Sequence, residues 1–246
     1  MNLGTNSAPG GGDRSGRRDP IRTILAAVGL TLAALLASTI GGVALAIPLL
    51  VLELDIQSVP VFLGLTVAGQ LGFVLVAYGY ARYADLRVRV VVPDRRDVAY
   101  VLGGTLVAFV LAIVLSAILA LLGLLPGSVI AEAGMADPTL FIGLAVLSVV
   151  LIAPAEEFLF RGVIQTRFRR TFGPAGAIAG ASLLFGSLHL ANYTGSAVPI
   201  VAGALLIAVV GAVFGVLYER TSNLVVPILA HGAYNVVLFV LAFLGS

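Results

Sequence analysis

The chain of 246 residues contains no cysteine, only two histidines, and charged side chains at just 11% of its positions. Without cysteine there is no disulfide framework, no thiolate nucleophile and no Cys-based metal site. Lysine is absent as well, so all fourteen basic side chains are arginines. A soluble domain is typically about 25% charged. Here 60% of the residues are hydrophobic and the mean hydropathy is +1.11. That composition excludes a soluble globular enzyme and describes an integral membrane protein whose surroundings are the lipid bilayer. No nucleic-acid partner is expected.

The net charge of +2 carries little information; the placement of the charges carries much. The arginines fall into groups: Arg14, Arg17, Arg18 and Arg22; Arg82, Arg87, Arg89, Arg95 and Arg96; Arg161, Arg167, Arg169 and Arg170; and Arg220. The apolar stretches between them have opposite ends that carry only acids, Glu53 and Asp55, then Glu132 and Asp137. Basic residues accumulate on the cytoplasmic side of a membrane. A multi-pass protein of the cell membrane with a cytoplasmic N-terminus is therefore expected.

Residues 1–20 are rich in Gly, Ser, Asn and Arg and have too few apolar side chains to bury, so they read as a disordered cytoplasmic tail. A cleaved signal peptide is disfavoured, because the apolar run after Arg22 is far longer than an h-region. Residues 21–246 read as a single transmembrane domain. The expected fold class is all-α, a multi-pass transmembrane helical bundle of about seven spans. Span 1 runs over about residues 24–52, longer than the ~20 residues a bilayer needs, so it is tilted or bent near Gly41-Gly42. Span 2 covers about 61–81, span 3 about 98–125, and span 4 runs from Leu140 to about Arg167. Span 5 begins after Gly173-Pro174 and passes His189; span 6 is about 198–217 and span 7 about 224–244. Between spans 2 and 3, the alternation of Val and Arg from Leu86 to Val92 suggests a short interfacial hairpin. Glu219 and Arg220 read as a solvated helix end.

Few ionisable groups lie inside the spans: Glu156, Glu157, Arg161, His189 and His231, joined by the amide of Asn235. A charged side chain at mid-membrane costs ~2.5–3.5 kcal/mol on insertion scales, so such groups are paired or functional. Glu157 and Arg161 are four residues apart, on one helix face and within reach of each other. Glu156 sits ~100° around the helix from Glu157, so the two carboxylates cannot share that arginine equally. His231 and Asn235 repeat the four-residue spacing on span 7, as Phe185 and His189 do on span 5. A carboxylate, two imidazoles and an amide on three helices suit a carboxylate-activated water with donors for a developing oxyanion. That is the chemistry of peptide-bond hydrolysis.

These residues form three motifs: Glu156-Glu157-Phe158-Leu159-Phe160-Arg161, then Phe185-Gly186-Ser187-Leu188-His189, then His231-Gly232-Ala233-Tyr234-Asn235. In order and spacing, over about residues 140–240, they resemble the CAAX protease and bacteriocin-processing (CPBP, or Abi) family of intramembrane proteases. The resemblance implies that Glu156 activates a water with His189, that His231 and Asn235 stabilise the oxyanion, and that Glu157 and Arg161 support the site. It also implies a membrane-associated peptide or protein substrate, prenylated CAAX-type or leader-peptide; the three-helix constellation itself suggests cleavage at or within the cytoplasmic half of the bilayer. His189, His231 and Glu156 are acceptable zinc ligands, although the His-Glu-x-x-His signature is absent; no cofactor is required by a glutamate-activated water. Two other classes remain open: a proton-coupled transporter that uses the Glu/His chain as a relay, and a non-proteolytic immunity or scaffold protein.

Overall fold

A computed structural model describes residues 19–246. The tail read over residues 1–20 therefore lies outside the described residues, apart from Asp19 and Pro20. The Asp19 carboxylate accepts the Ile21 N–H at 2.9 Å, and Pro20 occupies the first helical position, where a missing N–H costs nothing.

The described residues are helical throughout the membrane region, with one two-residue ribbon, Gly127–Ser128 antiparallel to Tyr193–Thr194. Among them, six helices are long and apolar enough to cross a membrane: Pro20–Val51, Val59–Tyr83, Arg95–Leu121, Thr139–Asn192, Ala197–Thr221 and Val225–Leu244. The fourth has 54 residues, which as one rod would measure ~80 Å against a hydrocarbon core of ~30 Å. It does not run straight. Gly173, at φ 71° and ψ −177°, reverses the chain in a conformation open to glycine. Beyond it Phe185 comes back against Phe160, with ring centroids 5.3 Å apart. The fourth helix is thus a hairpin of two spans, 4 (residues 139–172) and 5 (residues 174–188), and the bundle has seven.

Span 1 (Pro20–Val51) passes through Gly41-Gly42 without interruption. Its 32 residues, ~48 Å of helix, show no break at the glycine pair, so the bend expected there is absent. Side-chain packing and polar contacts, rather than exclusion from water, hold helices together in lipid. The packed side chains form two apolar clusters. One joins Leu30, Phe73, Leu159, Phe160 and Phe185 of spans 1, 2, 4 and 5. The other joins Ala108, Val210, Phe214, Val226 and Tyr234 of spans 3, 6 and 7. The intramembrane polar residues lie along the seam between them.

The connection between spans 2 (Val59–Tyr83) and 3 (Arg95–Leu121) departs from the expected hairpin. Residues 86–94 run extended, with no turn, because their backbone finds a partner elsewhere. The Val91 N–H donates to Asn223 Oδ1 at 3.2 Å, and Asn223 Nδ2 donates to the Val91 carbonyl at 3.1 Å and to Asp97 Oδ2 at 3.0 Å. The Leu224 N–H donates to the Arg89 carbonyl at 2.9 Å. Asn223 is fully buried, so Asn223→Ala leaves these groups unpaired at a cost of roughly 1–3 kcal/mol. The expected result is a lower thermal unfolding midpoint by circular dichroism and faster tryptic cleavage among Arg87, Arg89, Arg95 and Arg96. Glu219 is likewise tied rather than simply solvated: Arg169 Nε donates to its Oε2 at 2.6 Å and Gln165 Nε2 to its Oε1 at 3.1 Å.

At the other end of the bundle, the loop after span 3 holds a short helix, Val129–Ala136, that the apolar pattern alone did not reveal. The ribbon and a hydrogen bond from Thr194 Oγ1 to Glu132 Oε1 at 2.9 Å tie this helix to the end of span 5.

Candidate active site

Span 4 carries the two glutamates on a short α-helical turn, Ala153–Glu157, between two wider π-helical stretches, Ser148–Ile152 and Phe158–Gln165. The first has a local cause. Pro154 lacks an N–H, and its ring crowds the carbonyl one turn earlier, which the wider turn relieves. In the second, Thr166 Oγ1 donates to the Arg161 carbonyl at 3.1 Å, taking up an acceptor within the loosened ladder. Wide turns of this kind recur at functional sites.

Glu157 and Arg161 have no solvent exposure, and Arg161 Nε lies 3.2 Å from Glu157 Oε2. Glu157 Oε1 accepts from His231 Nδ1 at 2.9 Å, so one carboxylate bridges spans 4 and 7. Arg161 reaches on to span 6 (Ala197–Thr221), where its Nη2 donates to the Gly211 carbonyl at 2.6 Å. One turn further along, Gln165 Nε2 donates to the Gly215 carbonyl at 2.9 Å. Both acceptors are glycines with little room for a side chain, and the space is tightest at Gly211. A Cβ on Gly211 would stand 2.8 Å from Phe185 and 3.2 Å from Arg161, and one on Gly215 would stand 3.0 Å from Gln165. The guanidinium also lies over the Phe185 ring, 4.9 Å from its centroid, which gives the aromatic residue of the second motif a contact of its own.

Glu156 points elsewhere, as the 100° offset requires. Its Oε1 accepts from Gln70 Nε2 of span 2 at 3.1 Å, and its Oε2 lies 3.9 Å from His231 Nε2. The His231 ring is held between Phe214, stacked at 4.9 Å, and Phe185, edge-on at 5.8 Å. His189 Nδ1 bonds the Phe185 carbonyl at 3.0 Å. A carbonyl can only accept, so Nδ1 carries the proton and Nε2 is the nitrogen left for the cavity.

Glu156, His189, His231 and Asn235 all line one cavity of about 430 Å³. Glu157 and Arg161 lie behind its wall. Of the six residues singled out from sequence, four share the cavity and two form a buried support. Asn192, Tyr193 and Tyr234, which carried no signal in the sequence, also line it. Gln70 went unnoticed, as did Gln165. Both are amides in apolar spans, an anomaly that polar residues in membranes make readable, but neither has motif spacing. The cavity runs from the middle of the bundle toward the end away from the arginines. Its walls include Phe62 and Thr66 near the start of span 2, Ser128 and Val129 beside the ribbon, and Asn192 and Tyr193 past the end of span 5. The expectation of a site in the same half as the arginines is met only at the floor of the cavity, where Phe214 and His231 lie in that half of their spans; the rest of the wall runs the other way.

Among the described residues no three His, Asp or Glu side chains converge as a metal-binding group. His231 Nδ1 is engaged by Glu157, Glu156 Oε1 by Gln70, and His189 Nδ1 by a carbonyl, which leaves His231 Nε2, Glu156 Oε2 and His189 Nε2 without those partners.

Residues 138–237 match the family described as type II CAAX prenyl endopeptidase Rce1-like. The chain is also 29% identical over 163 residues to YpbD of Bacillus subtilis, an uncharacterized protein, covering 65% of this chain and 77% of that one. No solved structure matches it. The matched segment begins just before span 4 and ends two residues past Asn235, so it contains all three motifs and every helix that supplies a motif residue to the cavity. Over residues 138–237 the chain is thus similar to the Rce1-like family, which supports the resemblance to the CAAX protease and bacteriocin-processing family carried by its three motifs.

Proposed function

We propose that this protein is an intramembrane endopeptidase in which Glu156 activates the attacking water. The observation that carries the reading is the meeting of Glu156 and His231, 3.9 Å apart, on the wall of a cavity that His189 and Asn235 also line. Glu156 takes a proton from water while His189 Nε2 accepts the other O–H, and the oxygen attacks the scissile carbonyl carbon. Asn235 Nδ2–H and His231 Nε2–H donate to the oxyanion. Collapse of the intermediate breaks the C–N bond as Glu156 delivers its proton to the leaving amine.

The buried support provides the electrostatics. Arg161 offsets the charge of Glu157, the carboxylate that engages His231 Nδ1. Glu157 accepts from His231 Nδ1–H, stabilising the imidazolium that presents Nε2–H to the oxyanion.

Gln70 acts as a positioning residue. Its amide must turn Nε2 toward Glu156, because the oxygen would face a carboxylate. A hydrogen bond to a charged group is worth about 1.5–3 kcal/mol, so Gln70→Leu is expected to lower kcat about tenfold or more. KM and the unfolding midpoint are expected to stay near wild type. Gln70→Glu keeps the shape but not the donor and should lose as much; full activity in both variants would remove the role.

The substrate is a membrane-associated protein or peptide. The test of the function is a comparison of new peptide termini in membranes that contain the wild-type or the Glu156→Gln protein. Termini that need Glu156, and that also vanish with His189→Ala, identify the reaction and its substrate together. Identical sets of termini from all three proteins would refute the peptidase.

A further inference from the structure

Apart from Arg161, which backs the cavity wall, the arginines lie at the end of the bundle opposite the one toward which the cavity extends. Arg22, the arginines between 82 and 96, Arg167 to Arg170, and Arg220 all stand at the ends where spans 1, 3, 5 and 7 begin and spans 2, 4 and 6 finish. The opposite connections contain no arginine and have Glu53, Asp55, Glu132 and Asp137. The wall of the cavity runs from Glu156 at mid-span toward that acidic end, to Ser128, Val129, Asn192 and Tyr193. Toward the arginines it is closed by Glu157, Arg161 and Phe160, none of them exposed. A second cavity of about 480 Å³, between Tyr78, Arg82, Phe158 and Ile228, approaches the same helix from the arginine side. It contains none of the six polar residues and is divided from Glu156 by the body of span 4.

Arginines flank the cytoplasmic ends of membrane spans. Resting on the endopeptidase reading above, we propose that peptide and water enter from the non-cytoplasmic face. The substrate class is then a membrane-anchored protein or peptide whose scissile bond lies where its anchor leaves the outer half of the bilayer, rather than a lipidated C-terminus presented at the cytoplasmic face. The geometry suits such a segment. Water reaches Glu156 through the acidic end without crossing the arginine layer. Phe62, Val129, Leu238 and Phe239 give the passage apolar walls, which select an extended stretch with apolar side chains. The ribbon of Gly127–Ser128 and Tyr193–Thr194 holds the rim of the entrance in place.

Because the chain has no cysteine, single-cysteine variants give an unambiguous test. Asp55→Cys and Val129→Cys, at the acidic end, and Arg87→Cys, at the other, are exposed to a membrane-impermeant maleimide in intact bacterial cells that express the full chain. Expected is labelling of the first two in intact cells and of Arg87→Cys only once the membrane is opened. A bulky maleimide on Val129→Cys should slow Glu156-dependent cleavage more than tenfold, and the same reagent on Asp55→Cys should not. The Glu156-dependent termini should map to the non-cytoplasmic flank of their substrates' anchors. Labelling of Arg87→Cys alone in intact cells, termini on cytoplasmic flanks, or free cleavage past a blocked Val129→Cys would each overturn the proposal. If no termini depend on Glu156, the peptidase reading fails and the substrate assignment falls with it. The labelling still reports, independently of any reaction, which face the cavity opens to.

Discussion

Glu156→Gln is expected to abolish peptide-bond cleavage, lowering kcat by roughly 10²–10⁴-fold, the usual contribution of a positioned general base. The change keeps the shape of the side chain, and the carboxamide oxygen can still accept from Gln70. It removes the only exchangeable proton acceptor on span 4 that faces the cavity. Glu157 cannot replace it, since both of its oxygens are engaged, with Arg161 and with His231. Purified variant in proteoliposomes, given a peptide that spans a cleavage site found in cells, provides the measurement, and circular dichroism should show an unchanged unfolding midpoint. Residues that act as a unit are strongly non-additive. The double variant Glu156→Gln/His189→Ala should therefore be scarcely slower than Glu156→Gln alone. A double variant that multiplies the two losses would place His189 outside the water-activating pair.

The second large effect concerns folding. Arg161→Met should destabilise the protein by about 3–5 kcal/mol, the cost of leaving a buried charge without its partner. Arg161 and Glu157 are both inaccessible, and no water is at hand to solvate the orphaned carboxylate. The same change removes the donor to the Gly211 carbonyl and the cation above Phe185, so it also loosens the contact of span 4 with span 6. Replacing both partners, as Glu157→Gln/Arg161→Met, leaves no net charge behind and should recover a large part of the unfolding midpoint. Activity should stay low in the double variant, because His231 then lacks the carboxylate on its Nδ1. Equal midpoints for the single variant and the wild type would show that the pair does not hold the bundle together.

Much of this protein is legible before any coordinates exist, for a reason specific to membranes. A bilayer leaves no room for lipid-exposed irregular backbone, so the apolar runs must be helices, and residues such as Gly173-Pro174 must lie where one ends. Charged residues in those runs are so costly that each invites an explanation, and Glu156, Glu157, Arg161, His189 and His231 stand out for that reason. Neutral amides are cheaper and escape notice. Gln70 and Gln165 look like ordinary interhelical contacts until the coordinates show what each one holds. Segment 86–94 departs from its sequence pattern for a similar reason. Its Val/Arg alternation suggests self-pairing, but Asn223, more than a hundred residues away, offers its backbone better partners.

What the amino-acid order decided unaided is the set of spans, the side on which the arginines gather, and the four-residue spacings that put Glu157 with Arg161 and His231 with Asn235 on single helix faces. Those are properties of one helix in one solvent. Tertiary structure alone decided how the faces meet: that Glu157, not Glu156, anchors His231, that Gln70 from outside the family-matched segment grips Glu156, and that the cavity extends away from the arginines. The physical reason is that helix rotation and depth are set by contacts between helices, among them the wide turns around Pro154 and the glycine carbonyls of span 6. No periodicity within a single span encodes them.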